Sequence, residues 1–418
     1  MGCKSNFIET RAEVSENVAT VVTVQWRTNA ASTGYVEYGL TDSYGMQTPI
    51  TDEGTDHKVV LLGLHSDEVY HYRVVSDGLT SEDLIVETGS LPAELPSLTL
   101  QGDPNSWQGY IPVPLLGTIN ASLVIDNTGE IVWYHILEDD SRGPRRVRLS
   151  TDGSGVLFNS IADGSDSNIY WTTWDQTDTS QTLIEDHNHD FIEKSNGDII
   201  AMVYDTVDIN GEPKRGDKLV NLTPGGKVTD LWSMWDDYEY DMLPNNNTGW
   251  THANALRYDE ENEAVYLGLR NFSTILKIDA VELAVEWSLG DSPISDYTFA
   301  EGTEPFLRQH HFQFIEDDRL LVFDNHNVDD NESRIVEYQI DHDTQTVEEV
   351  WRFEHDPGLT IYALGEAYRT DDEDTFINWS VAGEMQRVSA AGDVEWQLNT
   401  DLGYAFGYST PVDSMYAQ

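Results

Sequence analysis

The sequence predicts an all-β protein, a six-bladed β-propeller preceded by a small β-sandwich domain. Three observations lead there. Short runs rich in β-branched and aromatic residues follow one another along the chain, with Gly, Asp, Asn or Ser between them. A hairpin phrase ending in Trp recurs, and a second set of short strands falls between its copies. The chain has 418 residues, 39% of them hydrophobic, with 12 Trp, 20 Tyr and 12 Phe, which suits two or more folding units and excludes a disordered polypeptide.

Residues 1–9 read as a tail. Met1-Gly2-Cys3-Lys4 resembles the Gly-Cys junction of a bacterial lipoprotein, which would make the protein exported, periplasmic or cell-surface, and lipid-anchored through Cys3. The competing reading is an ordinary cytosolic N-terminus with a chance cysteine. A myristoylation pattern fails at Asn6. With one cysteine in the chain, neither an intramolecular disulfide nor a cysteine-based metal site can form.

Residues 10–97 carry strand-like runs at 20–26, 34–38, 57–62, 69–75 and 84–87, the spacing of a small β-sandwich. Residues 64–74 resemble the tyrosine-corner segment of fibronectin type III domains, with Tyr70 at the corner and Trp26 in the core. Pro92 and Pro96 then stiffen a linker.

Residues 98–418 hold the Trp phrase: a strand, a turn containing Asp, Gly or Asn, then a strand closing on Trp133, Trp232, Trp287, Trp351 or Trp396. Intervals of 99, 55, 64 and 45 residues leave room for a degenerate copy near 169–185, giving six. Further short strands at 196–202, 264–268, 318–323 and 374–378 supply a second hairpin per repeat, the arithmetic of a four-stranded propeller blade. The longest uncharged run, 104–125, contains Pro112, Pro114, Gly109 and Gly117, so it reads as a pair of strands and not as a transmembrane helix.

The chain holds 75 Asp+Glu against 23 Lys+Arg, a net charge of −52 spread over its whole length. Nucleic acid is thereby excluded as a partner and anionic membranes are disfavoured, because both need clustered cations. Such acidity suits a saline setting. The one basic cluster is Arg142, Arg145, Arg146 and Arg148.

Chemistry is expected where inner strands begin. Three histidine phrases stand there in consecutive repeats: His187-Asn188-His189, His252 with Asn254, and Gln309-His310-His311. The readings open at this point are core packing, a zinc site built of imidazoles, and nucleophilic catalysis by a neutral histidine nitrogen. Arg270 would hold an anion or pair with one of the many carboxylates. Acidic loops at 205–211 and 327–332 read as solvated loops and not as calcium sites. No phosphate-loop, dinucleotide or nucleophile-elbow pattern occurs, so no cofactor is implied and no metal is assigned.

These phrases, with Lys277, Asp279, Asn325, Ser333, Arg334 and the segments 123–133 and 383–396, resemble the arylsulfate sulfotransferase family of bacteria. The resemblance implies a six-bladed propeller behind a small N-terminal β-sandwich. It also implies transfer of a sulfuryl group from a small aromatic sulfate donor to a phenolic acceptor, by a ping-pong route through a sulfated histidine and independent of PAPS. Residue by residue, His310 matches the nucleophile, His252, Asn254 and Arg270 match groups that hold the sulfuryl oxygens, and His189 matches a further site histidine. His311 and Arg334 are added as substrate-binding candidates. The chain departs from the family at His311, where an acidic or small residue is usual, and at Asn188, which replaces one of a His pair. A propeller polysaccharide lyase acting on uronate glycans and a non-enzymatic ligand-binding propeller are the alternatives. Edge strands leave a homodimer open.

Overall fold

Alternation makes the first strands. In Val22–Ser32 the buried Val22, Val24, Trp26 and Thr28 alternate with Thr23, Gln25, Arg27 and Asn29, the period of a half-buried strand. The computed structural model describes residues 7–138, 143–161, 167–240, 249–316, 318–326 and 332–416. Cys3, Arg142 and most of the 327–332 loop lie outside them.

Val22–Ser32 pairs antiparallel with Phe7–Val14 on one side and Gly54–Leu61 on the other. A second sheet orders Met46–Gln47, Gly34–Gly39, Val69–Ser76 and Leu79–Thr80, with Leu84–Glu87 also on Val69–Ser76. Val24 and Trp26 from the first sheet and Val36, Tyr38, Tyr72 and Val74 from the second share one apolar cluster. Tyr70 Oη accepts the His65 N–H at 2.9 Å, and Trp26 stacks on His57 with centroids 4.7 Å apart. Tyr416 reaches into this region from far along the chain, its hydroxyl accepting the Leu62 N–H at 3.1 Å and donating to the Val60 carbonyl at 2.8 Å.

Six more sheets follow. The first orders Ile131–Ile136, Ala121–Asp126, Tyr110–Leu116 and Ala405–Phe406. The next three are successive meanders: Val147–Leu149 to Thr179–Ile184, His187–Glu193 to Val228–Ser233, and Ala253–Asp259 to Val285–Gly290. The fifth runs from His311–Glu316 to Thr346–Glu354 and adds Thr298–Phe299 in parallel. The sixth runs from Glu366–Arg369 to Val394–Thr400 and takes Leu98–Gly102 on its edge.

The Trp phrase has a local physical meaning. Trp133, Trp232, Trp287, Trp351 and Trp396 pair with Val124, Leu219, Lys277, Glu337 and Arg387, and in all five ladders the register slips immediately beyond that pair. A bulge of this kind twists the hairpin and re-aims its side chains.

The six-bladed propeller, by contrast, is corrected. Every hydrogen-bonded ladder stays within one open sheet, the sheets are unequal in strand number, and no pairing closes a barrel or ring. The fold is all-β, several separate antiparallel sheets without a helical bundle. The repeat in the sequence reports a bulged hairpin, which is a local feature and does not fix how sheets are arranged around one another. Among the described residues the α-helix is a single turn, Met234–Asp237, and no helix is long and apolar enough to cross a membrane.

Candidate functional site

Each histidine phrase sits at the start of an edge strand of its sheet. The ladder of His187–Glu193 shifts register between His187 and Phe191, which takes Asn188, His189 and Asp190 out of regular pairing. His252 immediately precedes Ala253–Asp259, and His310 immediately precedes His311–Glu316. His189 and His252 hold φ of 44° and 52°, in the left-handed region that a side chain with a β-carbon enters only at a cost.

These three histidines come together. The rings of His189 and His252 meet edge to face with centroids 5.1 Å apart. Burial, and then the neighbouring His252, His310, Arg145 and Arg270, push His189 well below the usual histidine range. His310 is pushed down to about 3 by burial, with Arg270 and His252 adding to it. Neutral imidazoles beside fixed cations are the result.

His310 is held by an asparagine. Its Nδ1 lies 2.7 Å from Asn325 Oδ1, while the Asn325 amide nitrogen donates to the carbonyls of Ile361 and Leu364 at 2.9 Å each. Because those two bonds fix which end of the amide faces the ring, His310 carries its proton on Nδ1 and leaves Nε2 with a lone pair. An amide partner adds no charge, and its hydrogen bond favours the protonated ring less than burial and Arg270 oppose it. His189 repeats the device, with Nδ1 at 3.1 Å from Asn188 Oδ1.

Behind Asn188 stands Asp217, a residue the sequence did not single out. Its carboxylate accepts the Asn188 amide at 3.3 Å, the Thr251 hydroxyl at 2.5 Å and the Ala253 N–H at 2.7 Å. One buried carboxylate thus braces the His189 phrase and both neighbours of His252. Burial pushes it up to about 6 in spite of those bonds.

Arg270 follows the strand Ala264–Leu269, and its N–H donates to the His252 carbonyl at 3.1 Å. The guanidinium is part-exposed and touches Asn271 Oδ1 at 3.5 Å; no carboxylate among the described residues lies within ion-pairing distance. Burial and the charge of Arg308 keep it below the usual arginine range. Arg308, two residues before His310, is the second cation that sequence reasoning missed.

The remaining candidates are placed differently. Asn254 is fully buried and gives its amide to the Gln309 carbonyl at 2.7 Å, so it fixes the residue before His310. Arg334 is spent on Asp324 (2.8 Å), on Glu304 and on the Pro305 carbonyl (3.1 Å), bracing the loop that leads to Arg308. His187 lies between the Met202 carbonyl (2.8 Å) and the Asn159 amide (3.2 Å).

His311 turns away from its neighbour into a buried charge network. Its Nε2 is 2.9 Å from Glu366, which also receives Arg146 (2.9 Å), Arg257 (3.2 Å), the Ser409 N–H (2.6 Å) and the Thr410 hydroxyl (2.9 Å). Arg146 forks onto Asp190 as well, at 2.9 and 3.0 Å. Against the cost of burial, Arg146 and His311 hold Glu366 well below the usual carboxylate range. The basic cluster of the sequence is therefore partly interior. Tyr408 joins network to histidine cluster: its ring lies 4.7 Å from the Arg146 guanidinium, and its hydroxyl donates to the Asn254 carbonyl at 2.7 Å. Among the described residues no group of three or more His, Cys, Asp or Glu is placed to hold a metal ion.

Comparisons with known proteins bear on this arrangement. No curated protein matches the chain. Among solved structures, a protein of unknown function from Bacteroides caccae is 13% identical, with 72% of this chain and 100% of that one covered and a TM-score of 0.46. TolB from Acinetobacter baumannii is 11% identical, covering 84% and 80%, with a TM-score of 0.44. The virginiamycin B lyase of Staphylococcus aureus, in its inactive form with quinupristin, is 14% identical, covering 72% and 88%, with a TM-score of 0.39. A family model, arylsulfotransferase (ASST), matches residues 118–401, a span that contains all three histidine phrases, Asp217, Arg270 and Glu366. The chain belongs to the arylsulfotransferase family.

Proposed function

We propose that this arylsulfotransferase moves a sulfuryl group from a small aryl sulfate to a phenol through His310. The observation that supports it is the bare Nε2 of His310, set by the Asn325 bracket and placed beside the guanidinium of Arg270. In the first half-reaction Nε2 attacks sulfur, the S–O bond to the aryl group breaks, and its electron pair leaves on the phenoxide. The ring then carries the sulfuryl group on Nε2 and its original proton on Nδ1. Arg270 and His252 face the peripheral oxygens, where charge grows in the transition state. In the second half-reaction the acceptor oxygen attacks sulfur and the N–S bond returns its electron pair to Nε2. The phenolic proton of the acceptor is released to solvent, and His189, kept neutral with its Nδ1 proton on Asn188, lines the site.

A small aromatic sulfate and a phenol are the partners this reading requires, and an exported enzyme agrees with the family. Release of nitrophenol from 4-nitrophenyl sulfate, with and without added phenol, tests it in the native protein and in His310→Asn. Acceptor-dependent release that survives His310→Asn would sink the proposal. So would failure to find a sulfuryl adduct on the His310 peptide after exposure to donor alone.

A further inference from the structure

In a chain of net charge −52 an arginine finds a carboxylate easily. Arg27 on the surface holds Asp56, and the more buried Arg369 and Arg387 hold Glu337 and Asp372. Arg308 is exposed, yet no side chain among the described residues pairs with it. Beside it stands Arg270, which likewise has no described carboxylate partner, and the charge of Arg308 acts on it.

The two cations are held near each other by backbone. Arg308 N–H donates to Ser273 Oγ at 3.0 Å, and the Ser273 N–H donates to the Arg270 carbonyl at 3.2 Å. On either side, Leu307 N–H is fixed by Asp324 at 2.8 Å and the Gln309 amide by the Thr274 carbonyl at 3.0 Å. Arg308 itself has φ of 55°, so the segment is kept in an unfavourable conformation by its surroundings. Two arginines whose backbones are tied together through Ser273, in a protein this acidic, mark a place where an anion is favoured. The transferred sulfuryl group brings one negative charge, and Arg270 beside His310 meets it.

We propose that Arg308 is a specificity-determining residue, binding an anionic substituent, a carboxylate or second sulfate, on the ring of the aryl substrate. This rests on the sulfotransferase reading above. Substrates whose ring carries such a group are then preferred over neutral phenols and singly charged sulfates.

The test uses the full chain and the variants Arg308→Gln and Arg308→Lys. Acceptor selectivity is read as kcat/KM for 4-hydroxybenzoate against phenol, and donor selectivity for 4-sulfooxybenzoate against 4-nitrophenyl sulfate. Arg308→Gln should lower kcat/KM about tenfold for the carboxylate-bearing member of one pair, and less than about threefold for the member without it. Arg308→Lys should recover part of the loss, and the pair affected tells whether donor or acceptor carries the group. The burst of nitrophenol from 4-nitrophenyl sulfate should persist in both variants. An intact burst with equal losses for both members of each pair, or with no loss, overturns the assignment of Arg308 and leaves the sulfotransferase reading standing. No burst from the native protein with either donor removes both.

Discussion

Replacing the amide that faces His310, the proposed nucleophile, by a carboxylate, Asn325→Asp, should convert a ring that is neutral at working pH into one that titrates. In the native protein Asn325 Oδ1 lies 2.7 Å from Nδ1, and burial, Arg270 and His252 together drive the imidazole from 6.5 down to about 3. A unit charge about 4 Å away, at an effective dielectric of about 20, is worth about 4 kcal/mol, or about 3 pKa units. That nearly cancels the native depression, so His310 in the variant should titrate close to its ordinary value. Stopped-flow release of nitrophenol from 4-nitrophenyl sulfate, followed between about pH 4.5 and 8 at fixed ionic strength, measures it directly. The native burst rate should be flat on the acid side, while that of the variant should fall about tenfold per pH unit below about pH 6. Asn325→Asp also removes the donor to the Ile361 and Leu364 carbonyls, at about 1–3 kcal/mol per orphaned group, but lost stability cannot create an acid limb. A variant that still gives a burst, with the pH profile of the native protein, would refute the argument that a charged partner at this position is enough to make the ring titrate.

Stability should fall with acid. His187, His310 and His311 are pushed down to about 4, 3 and 4, so below about pH 6.5 the unfolded chain takes up protons that the native protein refuses. Their stabilisation is complete above that pH and is lost toward pH 4, by up to about 1.4 kcal/mol per histidine per pH unit. Asp217, raised to about 6, works in the opposite sense between that value and 3.8 and offsets about one of the three. A melting midpoint that stays constant from about pH 7 to 4.5 would contradict this. Arg270→Gln should lower kcat/KM by about 10²–10³ with little change in melting temperature, since the native guanidinium has no described carboxylate to lose. Tyr416→Phe should cost about 1–3 kcal/mol in denaturant melts by stranding the Leu62 N–H, with transfer activity unchanged; a loss of activity would show that the N-terminal sheets act on the site.

Much of the local structure was legible. Strand runs stood out by alternation and turn residues, and the Trp phrase marked real bulged hairpins because a bulge needs a fixed local pattern. His189, His252, His310 and Arg270 were legible as a set because each begins or ends a strand at a matching place. The arrangement of the sheets was not, since strand periodicity says which face is buried and nothing about closure. His311 could not be separated from His310 either: successive residues of a strand point to opposite faces, and only the fold shows which face holds Glu366. Asp217 and Arg308 gave no signal. One buried carboxylate looks like any other among 75 acidic residues, and a cation without a partner is recognised only once its surroundings are known.

The network around Glu366 also bears on when this protein can become itself during synthesis. Arg146 and Glu366 are separated by 220 positions, so at about 5–20 residues per second the arginine emerges tens of seconds before its counter-charge. Until then the interior would have to enclose Arg146, Arg148 and Arg257 against Asp190 alone, which strongly disfavours early closure. Ser409 and Thr410 arrive later still. A nascent chain that must wait this long for its last acid and its last loop gains little by closing this interior before synthesis is nearly done.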